Sequence, residues 1–369
     1  MDFTLSDEQL AVQEVARTIA ENCGRSGLAA KPRDAAGPDD EPDQRVSASR
    51  LWRELSRSDL LGICVPEEFG GSASDLIGLC VLLEESGRGL AQAPVLETIV
   101  AALAIDRFGS AAQRERWLPA VRTGDAILTI APVRGARPLL ATWRDDRWLL
   151  SGEQPYVPYL SDAQRVLLTA DAGEGSIALL VDPHVSGAQV IPYATTTGLP
   201  QGVLRLVDAE VPAHAALGAR DGDAVAQWVW DRAVVGTCAL LTGIAAGALT
   251  ATARYANQRE QFGRAIATFQ AVALHAGDAF IDTEAMRLTT WQAAWRLAAG
   301  WPAAREVSIA KFWASEGASR VTEVAQHLHG GMGVVTDYPL HRYLLWAKQL
   351  ELSLGSATWH LGRLADQLG

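Results

Sequence analysis

The chain has 369 residues, 49% of them apolar, which is enough for two or three packed layers or domains and too apolar for a disordered polymer. With 32 Lys+Arg against 43 Asp+Glu the net charge is −11, which disfavours nucleic acid and acidic membrane surfaces as partners. The four cysteines (Cys23, Cys64, Cys80, Cys238) are scattered with no C-x-x-C spacing, and read as reduced, buried thiols of a cytoplasmic protein. No apolar run is expected to reach the roughly 18 residues of a membrane-spanning helix, and the N-terminus has no basic-then-apolar leader pattern.

In chain order, Ser6-Asp7-Glu8-Gln9 forms a capping box with Leu5 as its staple, and Leu10, Val12, Val15, Ala16 and Ile19 continue as a helical stripe. Residues 29–46 carry Pro32, Pro38 and Pro42 and read as a mobile loop. Further helices are expected over 51–60, 76–89, 96–108 and 111–122, with a turn at Val65–Gly71. From Ala126 the period shortens. Runs at 127–130, 148–152, 165–168, 177–181 and 203–206, punctuated by Gly, Pro and Asp, predict short strands. From Ala224 the helical period returns over 224–257, 270–299, 303–328 and 340–367, which suggests a bundle of four long helices. The expected organisation is an N-terminal helical domain (1–125), a middle β-domain (126–222) and a C-terminal four-helix bundle (223–369).

Between the first two long helices lies Arg259-Glu260-Gln261-Phe262-Gly263-Arg264-Ala265-Ile266-Ala267-Thr268-Phe269-Gln270. A cationic, aromatic and amide-bearing elbow of this kind can hold a planar, phosphate-bearing ligand, with Arg for the phosphate, Phe for a ring and Gln for a polar edge. Taken alone, such an elbow is usually only a corner. No G-x-G-x-x-G follows a strand, no G-x-x-x-x-G-K-[ST] occurs, and the seven histidines show no metal-ligand spacing, so no metal is expected. His275 and His360 fall within helical patterns and read as packed or solvated side chains.

Three segments change the weight of the elbow. Arg259–Gln270 is similar to the pattern R-x-Q-F-G-x-x-I-x-x-F-Q. His327-Leu328-His329-Gly330-Gly331-Met332-Gly333 is similar to Q-x-H-G-G-x-G, and Asp337-Tyr338-Pro339-Leu340-His341-Arg342-Tyr343 to D-Y-P-L-H-R-Y. Together with Val65-Pro66-Glu67-Glu68-Phe69-Gly70-Gly71, they make the chain resemble the acyl-CoA dehydrogenase family over essentially its whole length. The resemblance implies a mainly α fold with a middle β-barrel or sandwich domain. It also implies FAD as cofactor, an acyl-CoA substrate, α,β-dehydrogenation and an electron-transfer acceptor. It places the adenine and pyrophosphate end of FAD on Arg259, Phe262, Gln270, His327, Gly330 and Gly331, offered to a neighbouring subunit. His327 stands where the family pattern has Gln.

Other positions depart from the pattern. Residues 130–138 replace an E-P-x-A-G-S-D turn and bring in Arg134 and Arg137. Pro158 replaces a flavin-contacting Thr or Ser after Tyr156, and Pro has neither hydroxyl nor N–H. In Ser353-Leu354-Gly355-Ser356, Leu354 stands where the catalytic Glu would be. Asp231, before Arg232, is the surviving candidate base, with pairing to a nearby Arg as its plainer reading; Glu351 is a weaker alternative. The resemblance is closest to the non-catalytic partner subunit of bacterial α2β2 acyl-CoA dehydrogenases acting on steroid side-chain CoA thioesters. It implies a second family subunit carrying the catalytic Glu, and neither nucleic acid nor membrane as partner. Two alternatives remain, a homo-oligomeric acyl-CoA dehydrogenase using Asp231 and a non-enzymatic binding or assembly module.

Overall fold

This computed structural model, which describes residues 4–28, 43–131, 138–218 and 221–368, consists of helices, one eight-stranded mixed sheet and one two-stranded hairpin. Packing divides the chain into two units. One comprises Met1–Leu55, Leu76–Ala93 and Val234–Gly369, and the other Ser56–Asp75 and Pro94–Ala233.

The first unit holds α1 (Asp7–Leu28), most of α2 (Asp43–Arg57) and α3 (Leu76–Arg88). The box at the start of α1 forms as the sequence predicts: the Ser6 amide donates to Gln9 Oε1 at 3.0 Å and the Gln9 amide to Ser6 Oγ at 3.2 Å. Helix α2 begins at Asp43, inside the stretch expected to be loop. Its first turn, Asp43-Gln44-Arg45, is polar and carries no apolar period to read. The rest of the proline loop, 29–42, lies outside the described residues.

Buried carboxylates tie these helices together. Glu85, fully buried, accepts two hydrogen bonds from Arg17 (3.0 and 2.9 Å) and one from Arg88 (3.1 Å). Glu84 accepts from Arg88 at 3.1 Å and from Arg287 at 3.0 Å. Each buried charge is met by a guanidinium, as burial requires.

The same unit holds most of α6 (Gly222–Gln258), a short hairpin of β9 (Glu260–Gln261) and β10 (Arg264–Ala265), then α7 (Gln270–Ala298), α8 (Ala304–His329), α9 (Leu340–Leu352) and α10 (Ala357–Leu368). Helices α3 and α6 cross at glycine. A Cβ on Gly243 would lie 1.9 Å from the Glu84 carbonyl oxygen, so no larger residue fits there. The single helix expected over 340–367 is two helices, broken at residues 353–356. Against the expectation of no spanning-length apolar run, α6 is long and apolar enough to cross a membrane by length and composition, but 89% of its most apolar window is buried within the protein. It is a core helix.

The second unit contains α4 (Val95–Phe108), α5 (Ala111–Arg122), the start of α6 and eight strands. They are β1 (Leu128–Ile130), β2 (Leu140–Arg144), β3 (Arg147–Pro158), β4 (Arg165–Asp171), β5 (Ser176–Val181), β6 (Ala188–Tyr193), β7 (Gln201–Pro212) and β8 (Ala216–Leu217). They form one sheet in the order β6-β7-β3-β2-β4-β5-β8, with β1 parallel to β4. Its core is Leu150, Val157, Val166, Leu168, Leu179, Val181 and Leu204, all 0–1% exposed. The Thr98 hydroxyl donates to the Leu128 carbonyl at 2.8 Å and joins α4 to β1. Three of the strands, β2, β6 and β8, go beyond the five runs read from the sequence. The four cysteines are buried and none is in a disulfide.

Candidate functional site

The elbow folds as a two-residue hairpin. Arg264 pairs with Gln261 and Ala265 with Glu260, which leaves Phe262 (φ 54°) and Gly263 (φ 76°) as the turn. Positive φ at both positions is the type I′ arrangement that matches strand twist. A phenylalanine there carries a backbone cost of about 1 kcal/mol. Its side chain recovers nothing by burial in this chain, because Phe262 is 93% exposed. Phe269 lies edge-on to it at 6.2 Å, and the Arg264 guanidinium sits 4.2 Å from the Phe269 ring.

Other contacts bring the remaining candidates to the same end of the bundle. Arg259 closes the last turn of α6, its amide donating to Tyr255 O at 2.8 Å. The Tyr255 ring stacks on His329 at 4.3 Å, and Gly330 follows His329 directly. Near the start of α7, which Gln270 opens, His275 meets the ring of His327 at 6.0 Å. Arg259, Phe262, Gln270, His327, Gly330 and Gly331 are all exposed.

His329 is 3% exposed and holds this end in place. Its Nδ1 is 2.8 Å from Ala325 O, which can only accept, so Nδ1 carries the proton. The Tyr338 hydroxyl then donates to Nε2 at 3.0 Å. Burial pulls the His329 pKa down, which keeps the ring neutral. His329 and Tyr338 lie within the sequence motifs, but nothing in those motifs assigns them this role. Only the stack with Tyr255 reveals it.

The groups exposed on this surface are of the kinds a planar, phosphate-bearing ligand needs. Nothing lies within 4 Å of where a Cβ on Gly330 or Gly331 would sit, so the backbone there is open to a bulky ligand. Arg259, Gln270 and His327 supply donors, Phe262 supplies a ring, and none of the six is acidic.

The other half of the expected chemistry is differently placed. Residues 132–137 lie outside the described residues. Tyr156 sits at an irregularity in the β3–β7 pairing with φ 57° and is 62% exposed. The Pro158 carbonyl accepts the Thr129 hydroxyl at 2.6 Å. Asp231 accepts from Gln227 Nε2 at 2.8 Å. Neighbouring Arg232 lies 3.5 Å from the Trp228 ring; burial lowers it to about 10, against the opposing pull of Asp231. Leu354 occupies the corner between α9 and α10 with φ 58°, and Glu351, one turn earlier, is paired with Lys348 at 3.3 Å.

The chain is thus a mainly helical protein with a mixed sheet and an exposed, non-acidic end on its helical unit. Residues 6–125 match the family model "Acyl-CoA dehydrogenase, N-terminal domain", and residues 220–369 match "Acyl-CoA dehydrogenase, C-terminal domain". The acyl-CoA dehydrogenase FadE27 of Mycobacterium tuberculosis is 37% identical over 340 residues, covering 89% of this chain and 90% of that protein. The chain therefore belongs to the acyl-CoA dehydrogenase family, oxidoreductases that act on CH–CH bonds with FAD as cofactor. Among solved structures, the ChsE4-ChsE5 complex from Mycobacterium tuberculosis superposes with a TM-score of 0.90 at 34% identity, covering 100% of this chain and 99% of that one. A variant of the Tcur3481-Tcur3483 steroid ACAD gives 0.87 at 38% identity, with 99% and 98% covered.

Proposed function

We propose that this chain is the non-catalytic subunit of an α2β2 acyl-CoA dehydrogenase and supplies the adenine and pyrophosphate half of a shared FAD site. The observation that carries this reading is a pairing of opposites. The clasp end is open and exposes Phe262 at 93%, whereas the corner expected to bear the base carries Leu354, which can take no proton. Bound FAD supplies the hydride acceptor for the β-carbon of the acyl thioester. In this chain Arg259 would hold the pyrophosphate, Phe262 would pack against a ring, and Gln270 and His327 would donate to polar atoms. Gly330 and Gly331 let the backbone approach. The α-proton goes to a Glu on the second subunit.

One similar chain comes from the ChsE4-ChsE5 complex and another from the Tcur3481-Tcur3483 steroid ACAD, and the second supports a steroid side-chain CoA thioester as the acyl class. A separate electron-transfer protein takes the electrons onward. Four buried cysteines outside any disulfide fit a reducing cytoplasm. The division into 1–125, 126–222 and 223–369 belongs to the same proposal, with the first and last segments close to the two family matches.

The test is flavin content with and without a second family subunit that retains the Glu. The chain alone should be colourless and inactive. Co-expressed, the two should co-purify with one FAD per pair of chains. Stoichiometric FAD and dehydrogenase activity in this chain alone would overturn the reading and promote Asp231 to the base.

A further inference from the structure

Lys311 is the largest fully buried side chain of the described residues, at 0% exposure on α8. A buried ammonium demands partners, and this one has four. Its Nζ lies 2.8 Å from Ser315 Oγ, 3.2 Å from Leu350 O, 2.9 Å from Glu351 O and 3.0 Å from Gly355 O. Leu350 and Glu351 belong to the last turn of α9, whose carbonyls have no partner within the helix and carry the negative end of its dipole. Gly355 lies beyond the corner. One ammonium thus ties both sides of the corner together, with Leu354 between them.

Independent contacts fix residues 354–356. The carbonyl of Leu354 is 3.0 Å from His360 Nε2. Ser356 immediately precedes α10, its Oγ accepting the Trp359 amide at 3.4 Å. A Cβ on Gly355 would lie 2.5 Å from Trp359 Cε3. Leu354 itself is in the left-handed region, a conformation that persists only where the surroundings over-determine it.

We propose that Lys311 is a positioning residue for the 353–356 corner. Its ammonium holds the open end of α9 against the first carbonyl beyond the turn, and so fixes both the conformation of residue 354 and the direction in which α10 departs. The corner is fully built around a leucine, at the position where the family resemblance places the base. The geometry stands on this chain alone. Only the functional weight of position 354 rests on the acyl-CoA dehydrogenase reading, so a failure of the shared-FAD proposal would leave the pin intact. Burial lowers the Lys311 pKa to about 8, with Cys238 and Glu351 opposing, so the ammonium form with its three donors still predominates at pH 7.

Hydrogen–deuterium exchange on the full chain tests the pin at pH 7. Lys311→Met keeps the stem and removes the charge. Amides of residues 353–360 should then exchange faster by about tenfold or more, the loss expected for charge-assisted hydrogen bonds, while α1, α3 and the sheet stay unchanged. A uniform increase across the chain, or no change at the corner, would overturn the proposal. If Lys311→Met does not fold, Ser315→Ala, which removes one acceptor of the ammonium, takes its place. It should raise exchange at 353–360 by about twofold to tenfold, and no local change would overturn the proposal equally.

Discussion

Phe262-Gly263 and Leu354-Gly355 are the same backbone figure used twice in the helical unit. Each is a bulky residue at φ 54° or 58°, followed by a glycine at 76° or 98°. Around Leu354 every element of the strain is matched from within. Lys311 and His360 hold the flanking carbonyls, and Trp359 covers Gly355. Around Phe262 little matches it. The ring is 93% exposed, and nothing lies within 4 Å of a Cβ on Gly263. A strained turn supported by its own chain needs no ligand to explain it. A strained turn that thrusts an aromatic ring into solvent points to a contact outside the chain.

The comparison can be broken most strongly by acid. Burial holds His360 at about 4 against a free value near 6.5, with Lys311 and Arg363 pushing the same way. Between pH 6.5 and 4 the unfolded chain binds a proton that the folded chain refuses. Stability present above pH 6.5 is therefore lost as pH falls through that window, by up to about 3 kcal/mol. His360→Gln can still donate to the Leu354 carbonyl, and it should flatten that part of a urea-midpoint-versus-pH curve. A variant curve parallel to wild type would show that the corner is not the acid-sensitive element.

Glycine substitution sharpens the contrast at constant backbone. Gly355→Ala meets both the positive φ and the Trp359 ring, and should cost about 2–3 kcal/mol in urea unfolding. Gly263→Ala meets only the φ, and should cost about 1 kcal/mol. Equal losses would mean that the packing difference between the corners has no energetic meaning. The smallest effect is expected at Asp231. Its carboxylate is engaged by Gln227, so Asp231→Asn should leave turnover of the assembled complex within about twofold, far from the tenfold that 1.4 kcal/mol of barrier would bring. Abolished turnover with intact flavin would make Asp231 the base after all.

The long helices were legible because their apolar period is strong, as were β3–β5 and β7 in part. Strand β2, Leu140–Arg144, has one buried position in five, and β6 carries Pro192, so neither shows the alternation that marks a strand. The break at 353–356 hid within an apolar frame, although Gly355 was there to signal it. Lys311 could not be read at all. A lysine in a helical pattern normally marks a solvated face, and the carbonyls that hold this one lie 39–44 residues away in sequence. The clasp candidates were legible as a motif, whereas the Tyr255–His329–Tyr338 contact that supports them joins three helix ends and has no local signature.

The central claim is that the Phe262 end serves a cofactor completed by another subunit. The direct measurement is FAD bound per pair of chains in the co-expressed complex carrying Phe262→Ala or Arg259→Ala, set beside the melting temperature of each variant chain. Both side chains are exposed, so the melting temperature should hold within about a degree, as for surface changes of less than about 0.5 kcal/mol. FAD retention after gel filtration should fall by about tenfold or more, the loss of 1.4 kcal/mol or more of binding. Unchanged FAD retention in both variants would contradict the account.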